Sequence, residues 1–164
     1  MIPQINRILY ATDLSSNAVH AFRYAVYLAK QVDAEIVIFH VVEKPSAEAL
    51  LALQAYIDKK DRSKFHAERI EQVIAEIEQR LEKFCETELE DDPVWRRRIS
   101  RIEVHEGYPA EEILDKSERW GCDLVVMGSH EKSLSHTFLG SVAKRVLRRS
   151  RIPIVIIPLA RPSA

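Results

Sequence analysis

Three short segments carry residue types whose spacing could do chemistry. Asp13 follows the apolar run Ile8-Leu9-Tyr10-Ala11-Thr12 and precedes Leu14-Ser15-Ser16. A carboxylate there can accept hydrogen bonds from ribose hydroxyls, or it can join the serines in capping a helix. Gly128-Ser129-His130-Glu131-Lys132-Ser133 follows a later apolar run, and Gly140-Ser141-Val142 opens a helical pattern. Glycine at a strand end lets the backbone approach an anion. A helix start aims free N–H groups and a positive dipole end at the same place. The pattern describes a phosphate site, and equally an ordinary loop followed by a helix cap. It is neither a P-loop nor a G-x-G-x-x-G fingerprint.

Other chemistry finds less support. His40, His105, His130 and His136 show no H-E-x-x-H and no helical i+3 or i+4 partner, so no metal set is expected. His40 ends an apolar run and reads as a hydrogen-bonded core histidine. Cys85 and Cys122 lack C-x-x-C spacing and read as buried free thiols. No nucleophile, base and orienter can be assembled, and Ser141 fits a phosphate-binding cap better than a nucleophile. Catalytic residues are therefore not assigned. Any ATP hydrolysis is expected to be slow, because no base or arginine finger is evident.

Composition narrows the field. The chain has 164 residues, 24 Lys+Arg against 25 Asp+Glu, and a formal net charge of -1. That length suits one domain, residues 1–164, with a sizeable core. The charge balance argues against bulk attraction to nucleic acid or anionic membrane. Two basic clusters stand out, Arg96-Arg97-Arg98 and the group Lys144, Arg145, Arg148, Arg149 and Arg151. They read as solvated faces and helix-end charges, or as a surface for an acidic protein partner. No apolar run approaches 18 residues and the N-terminus has no signal-peptide pattern, so a cytoplasmic protein without a membrane span is expected.

The elements that must position these residues are legible in the apolar runs. Residues 8–12, 36–42, 124–127 and 154–157 are continuous and largely β-branched, as in parallel strands covered on both faces. Residues 100–105 alternate apolar and polar, which suits a strand nearer an edge. Helical patterns cover 17–31, with Ser15 or Ser16 as cap, then a long one around Ile70 to Phe84 that ends by Asp91-Asp92-Pro93. Two more follow, the first around Ala110 to Ser117, closed by Gly121, and the second around Leu139 to Leu147. Residues 46–65 read as an extra helical piece or a mobile excursion, and 159–164 as a tail. The order βαβαβαβαβ gives an α/β fold, a doubly wound five-stranded parallel sheet with helices on both faces. Ligands of such sheets sit beyond the carboxyl ends of the strands. Four glycines are few for this length, and all lie from residue 107 onward, so any glycine-dependent loop must be there.

In combination, several segments resemble the universal stress protein family, within the adenine-nucleotide α-hydrolase-like superfamily. They are Ile8-Leu9-Tyr10-Ala11-Thr12-Asp13-Leu14-Ser15, Phe39-His40-Val41-Val42, the Glu106–Ile113 segment, Asp123-Leu124-Val125-Val126-Met127-Gly128-Ser129-His130, Leu139-Gly140-Ser141-Val142, and the closing Arg151–Pro158 segment. The resemblance spans nearly the whole chain. It implies a Rossmann-like three-layer sandwich with strand order 3-2-1-4-5, and a homodimer paired through the fifth-strand edge at Ile154–Ile157. It implies a stress-response sensor or switch that binds ATP or AMP, with Mg accompanying the nucleotide. The implied nucleotide-binding residues are Ala11, Thr12, Asp13, Val41, Met127, Gly128, Ser129, His130, Gly140, Ser141 and Val142. Asp13 would contact the sugar, the Val41 backbone the adenine, and the glycine loop the phosphates.

Two departures qualify the implied phosphate loop. The family pattern is G-x2-G-x9-G-[ST], and here Glu131 stands at the second glycine and eight residues, 132–139, precede Gly140. A carboxylate facing a polyphosphate is unfavourable, and a shorter loop re-aims its amides. His130, Lys132 and Ser133 supply donors nearby. The alternative is a dimeric interaction module of the same family that binds no nucleotide.

Overall fold

The computed structural model of the protein describes residues 1–54, 59–129 and 139–158. In chain order the elements are β1 (Arg7–Thr12), α1 (Ala18–Val32), β2 (Glu35–Glu43), α2 (Ala47–Gln54), α3 (Lys59–Glu88), α4 (Pro93–Arg96), β3 (Ile99–Gly107), α5 (Pro109–Arg119), β4 (Leu124–Gly128), α6 (Ser141–Arg149) and β5 (Ile154–Ile157). The sheet order is β3-β2-β1-β4-β5, and every paired neighbour is parallel. The expected α/β architecture and strand order are therefore present. The half-polar strand, β3, lies at an edge, as its alternation predicts.

Strand alternation sorts the core into two layers. Ile8, Tyr10, Ile36, Ile38, Leu124 and Val126 face one side, against Phe22, Ala25 and Ala29 of α1 and Leu81 and Cys85 of α3. Leu9, Ala11, Phe39, Val41, Val125 and Met127 face the other, against Ala110 and Ile113 of α5 and Ala143 and Val146 of α6. Fully burying one such Leu, Ile or Phe contributes roughly 1.5–3 kcal/mol, so both layers hold the sheet's carboxyl ends in place. At the opposite end, the Asp123 carboxylate accepts the Asn6 and Arg7 amides at 2.8 and 3.0 Å, clipping the start of β4 to β1.

The cap of α1 differs from the sequence reading, and the elements after β2 take definite bounds. Neither Ser15 nor Ser16 caps α1; Asn17 occupies the cap position without a side-chain bond, and the Ser15 carbonyl accepts the Ala18 amide at 3.0 Å. The long helix stops at Glu88, before the Asp91-Asp92-Pro93 break, and Asp92 instead caps the short α4, accepting the Trp95 amide at 3.3 Å. Helix extends into both ends of segment 46–65, as α2 and the start of α3. Residues 55–58 and the tail 159–164 lie outside the described residues. Gly121 does close α5: it has φ +62, the left-handed region that glycine adopts without a Cβ penalty.

Candidate functional site

The sheet order doubles back between β1 and β4: the chain goes from β1 to β2 on one side and reaches β4 on the other. At such a switch point the flanking connections leave to opposite faces and open a crevice at the strands' carboxyl ends. Thr12 and Asp13 end β1 on one side of this point, and Gly128 and Ser129 end β4 on the other. Ala11 and Met127 are Cα partners in the ladder between them.

The turn after β1 is tightly specified. The Thr12 hydroxyl accepts the Leu14 amide at 3.1 Å, and Asp13 Oδ1 accepts the Ser15 amide at 3.0 Å. Leu14 sits at φ 60. A non-glycine residue there costs about 1–2 kcal/mol, which the turn's hydrogen bonds offset. The sharp turn leaves Asp13 exposed at the end of the strand. Asp13 therefore organises the entry to α1 and still lies where a polar ligand would meet it. Hydrogen bonding to the ribose and shaping the turn are compatible roles.

Val41 is buried on the α5/α6 side, in one apolar cluster with Ala11, Met127 and Ala143. Val142 and Leu139 pack against that cluster. These neighbours give the crevice an apolar floor suited to a flat ring. At the start of α6, Gly140 is the cap residue at φ −58 and ψ 157, and it has no side chain of its own with which to cap the helix. Its carbonyl accepts the Lys144 amide at 2.9 Å. The amides of Ser141 and Val142 precede that first bond and find no carbonyl within the helix. No acidic residue lies in this first turn, so the helix itself places no carboxylate at the dipole's positive end.

Ser129 is differently engaged: its amide donates to the Ile157 carbonyl at 2.8 Å. That leaves its hydroxyl, rather than its amide, to contribute to the crevice. His130 and the neighbouring Glu131, Lys132 and Ser133 lie outside the described residues. Among the described residues no group of three or more His, Cys, Asp and Glu could hold a metal ion.

His40 gains a definite partner. Its Nδ1 lies 2.8 Å from the Thr12 carbonyl oxygen. A carbonyl can only accept, so Nδ1 carries the proton and donates it. Burial holds the imidazole pKa below its ordinary value; the Thr12 carbonyl and the Asp13 charge oppose that shift. Sequence reasoning sees a polar residue ending an apolar strand and expects a hydrogen bond, but the acceptor depends on a register, Thr12 opposite His40, that only the fold supplies. His105 belongs elsewhere, on edge strand β3 with Glu103 at 3.2 Å and Glu112 at 3.8 Å, its ring against Phe39 and Trp120.

The basic clusters are partly answered from within. Arg96 pairs with Glu82 and Arg98 with Asp33. On α6, Arg145 and Arg149 share the Glu111 carboxylate of α5, at 3.4 and 3.2 Å. Among the described residues no helix is long and apolar enough to cross a membrane.

The family model described as "Universal stress protein family" matches residues 4–158. The chain is 30% identical over 152 residues to universal stress protein MJ0531 of Methanocaldococcus jannaschii, covering 92% of this chain and 81% of that protein. Among solved structures, universal stress protein UspA from Lactobacillus plantarum aligns with a TM-score of 0.72 at 18% identity, covering 95% of this chain and 99% of the other. A universal stress protein in complex with cAMP aligns with a TM-score of 0.52 at 17% identity, covering 95% of this chain and 98% of the other. At these identities the two structures speak to the fold alone.

Proposed function

The chain belongs to the universal stress protein family, and from that premise we propose that it binds an adenine nucleotide, ATP or AMP, as a stress-response sensor or switch. One observation carries the reading. The Asp13 turn and the N-terminus of α6, whose cap residue is Gly140, flank one apolar-floored crevice at the β1/β4 switch point. An anionic ligand with a sugar and a flat base matches that set of groups. The cAMP complex of a protein with the same fold is consistent with it.

The roles follow from chemistry. Asp13 accepts from ribose hydroxyls. The backbone at Val41, beside Ala11 and Thr12, meets the adenine ring. Met127, Gly128, Ser129 and His130, with the amides of Gly140, Ser141 and Val142, surround the phosphates, and Mg²⁺ accompanies a polyphosphate. Binding alters a surface offered to a protein partner. The switch is a homodimer joined through the β5 edge. A second reading, a dimeric module that binds no nucleotide, is favoured by Glu131 in place of a motif glycine and by the shortened loop.

Titration calorimetry with ATP, AMP and cyclic AMP on nucleotide-stripped protein tests the proposal, alongside mass spectrometry of the protein as purified. Binding at sub-millimolar ligand is expected. Absence of heat with all three selects the second reading. Asp13→Ala should weaken binding about tenfold or more, and undiminished affinity would remove Asp13 from the site. ADP release on adding Mg²⁺ would establish slow hydrolysis as a further activity.

A further inference from the structure

We propose that His40 is a positioning residue for the nucleotide crevice, holding the Thr12 carbonyl so that the following turn presents Asp13 at the strand's end. The inference rests on the nucleotide reading above and adds a residue to it. Three observations support it. Thr12 and His40 are the last register pair of the β1–β2 ladder, after which β1 leaves the sheet while β2 continues to Glu43 beside β3. The Thr12 carbonyl faces β2 at the last rung of the ladder, toward the Val41 amide, and the imidazole Nδ1–H adds a second donor to it at 2.8 Å. The next two residues carry the strained turn: the Thr12 hydroxyl holds the Leu14 amide, Leu14 is left-handed at φ 60, and Asp13 Oδ1 holds the Ser15 amide.

Sidedness strengthens the argument. Ile38 faces the α1/α3 layer and Phe39 and Val41 face the α5/α6 layer. Alternation puts His40 on the α1/α3 side, across the sheet from the apolar floor of the crevice. His40 therefore acts through the Thr12 backbone and is not assigned a contact with the ligand. Without the imidazole, the partly buried Thr12 carbonyl loses its side-chain donor, and the turn keeps only the last backbone rung as its tie to β2. Asp13 then samples other directions, and the ligand must restore the productive one on binding.

The test compares wild type with His40→Asn, His40→Phe and His40→Ala by ATP calorimetry and thermal melting. Asparagine can place an amide N–H near the position of Nδ1, whereas phenylalanine keeps ring volume without a donor. Affinity should fall about tenfold in the Phe and Ala variants and stay within about threefold of wild type in the Asn variant. A Phe variant with lowered Tm but unchanged affinity would make His40 merely structural and overturn the inference. Equal losses in Asn and Phe would overturn it too. Wild type that binds no nucleotide overturns the functional reading along with it; wild type that binds, with all variants alike, overturns only the role of His40.

Discussion

The Ser129 amide donates to the Ile157 carbonyl at 2.8 Å, so the sheet's outermost strand holds the first residue of the candidate phosphate loop. Pro153 uses its carbonyl the same way, toward the Val125 amide at 2.9 Å. With two-residue alternation, Ile154 and Ile156 then turn their N–H and C=O groups to the open edge. An apolar edge with unpaired backbone groups is a template for another strand.

Ile156→Pro should therefore block self-pairing while sparing the bonds to β4, because it removes an outward N–H. Light scattering after size exclusion should show a dimer for wild type and a monomer for the variant, with little change in Tm. A variant that stays dimeric would place the interface elsewhere.

Glu131→Gly should strengthen ATP binding more than AMP binding, because the removed carboxylate opposes the distal phosphates most. Calorimetry on both ligands measures the difference. Equal gains, or none, would mean the Glu131 side chain points away from the phosphates.

Both thiols should be inert in the folded protein. Cys85 is fully buried and Cys122 nearly so, and burial pushes their pKa values up to about 12 and about 11. The thiolate is the reactive form. A colorimetric thiol reagent at pH 8 should find both groups only after urea unfolding; rapid labelling of the native state would contradict this packing.

Acidification should expose the cost of burying His40. Its folded pKa lies below the unfolded value, so the folded state binds fewer protons on this group. Stability is full above an unfolded pKa of about 6.5 and is lost as pH falls through the folded value. Tm should decline below about pH 6.5, less steeply in His40→Asn. A steeper decline in the variant would mean the group's pKa shifts the other way.

Much of the scaffold was legible because burial on two faces writes itself as unbroken apolar runs. Ile36 to Val42 and Leu124 to Met127 could hardly be anything else, and Ile102 and Val104 announced an edge by alternating with charges. Asp13, Gly128 and Gly140 were legible as strand-end and helix-start residues. The left-handed Leu14 was not, because nothing in a leucine signals φ 60; the surrounding bonds impose it. Nor were the partners of Ser129 and His40, which depend on strands far apart in sequence. The α4 cap escaped for a different reason: Asp92-Pro93 signals both a stop and a start, and the helix it starts is only four residues long.

One consequence of the alternation along β2 concerns folding fidelity. Neighbours His40 and Val41 serve opposite layers, so sliding β2 by one residue against β1 would exchange them. The imidazole would enter the apolar floor and Thr12 would lose its side-chain donor, while the sheet could still form. On the proposed nucleotide reading, ligand affinity would also gauge strand register: a misaligned chain would look folded by its secondary structure and stay silent to nucleotide.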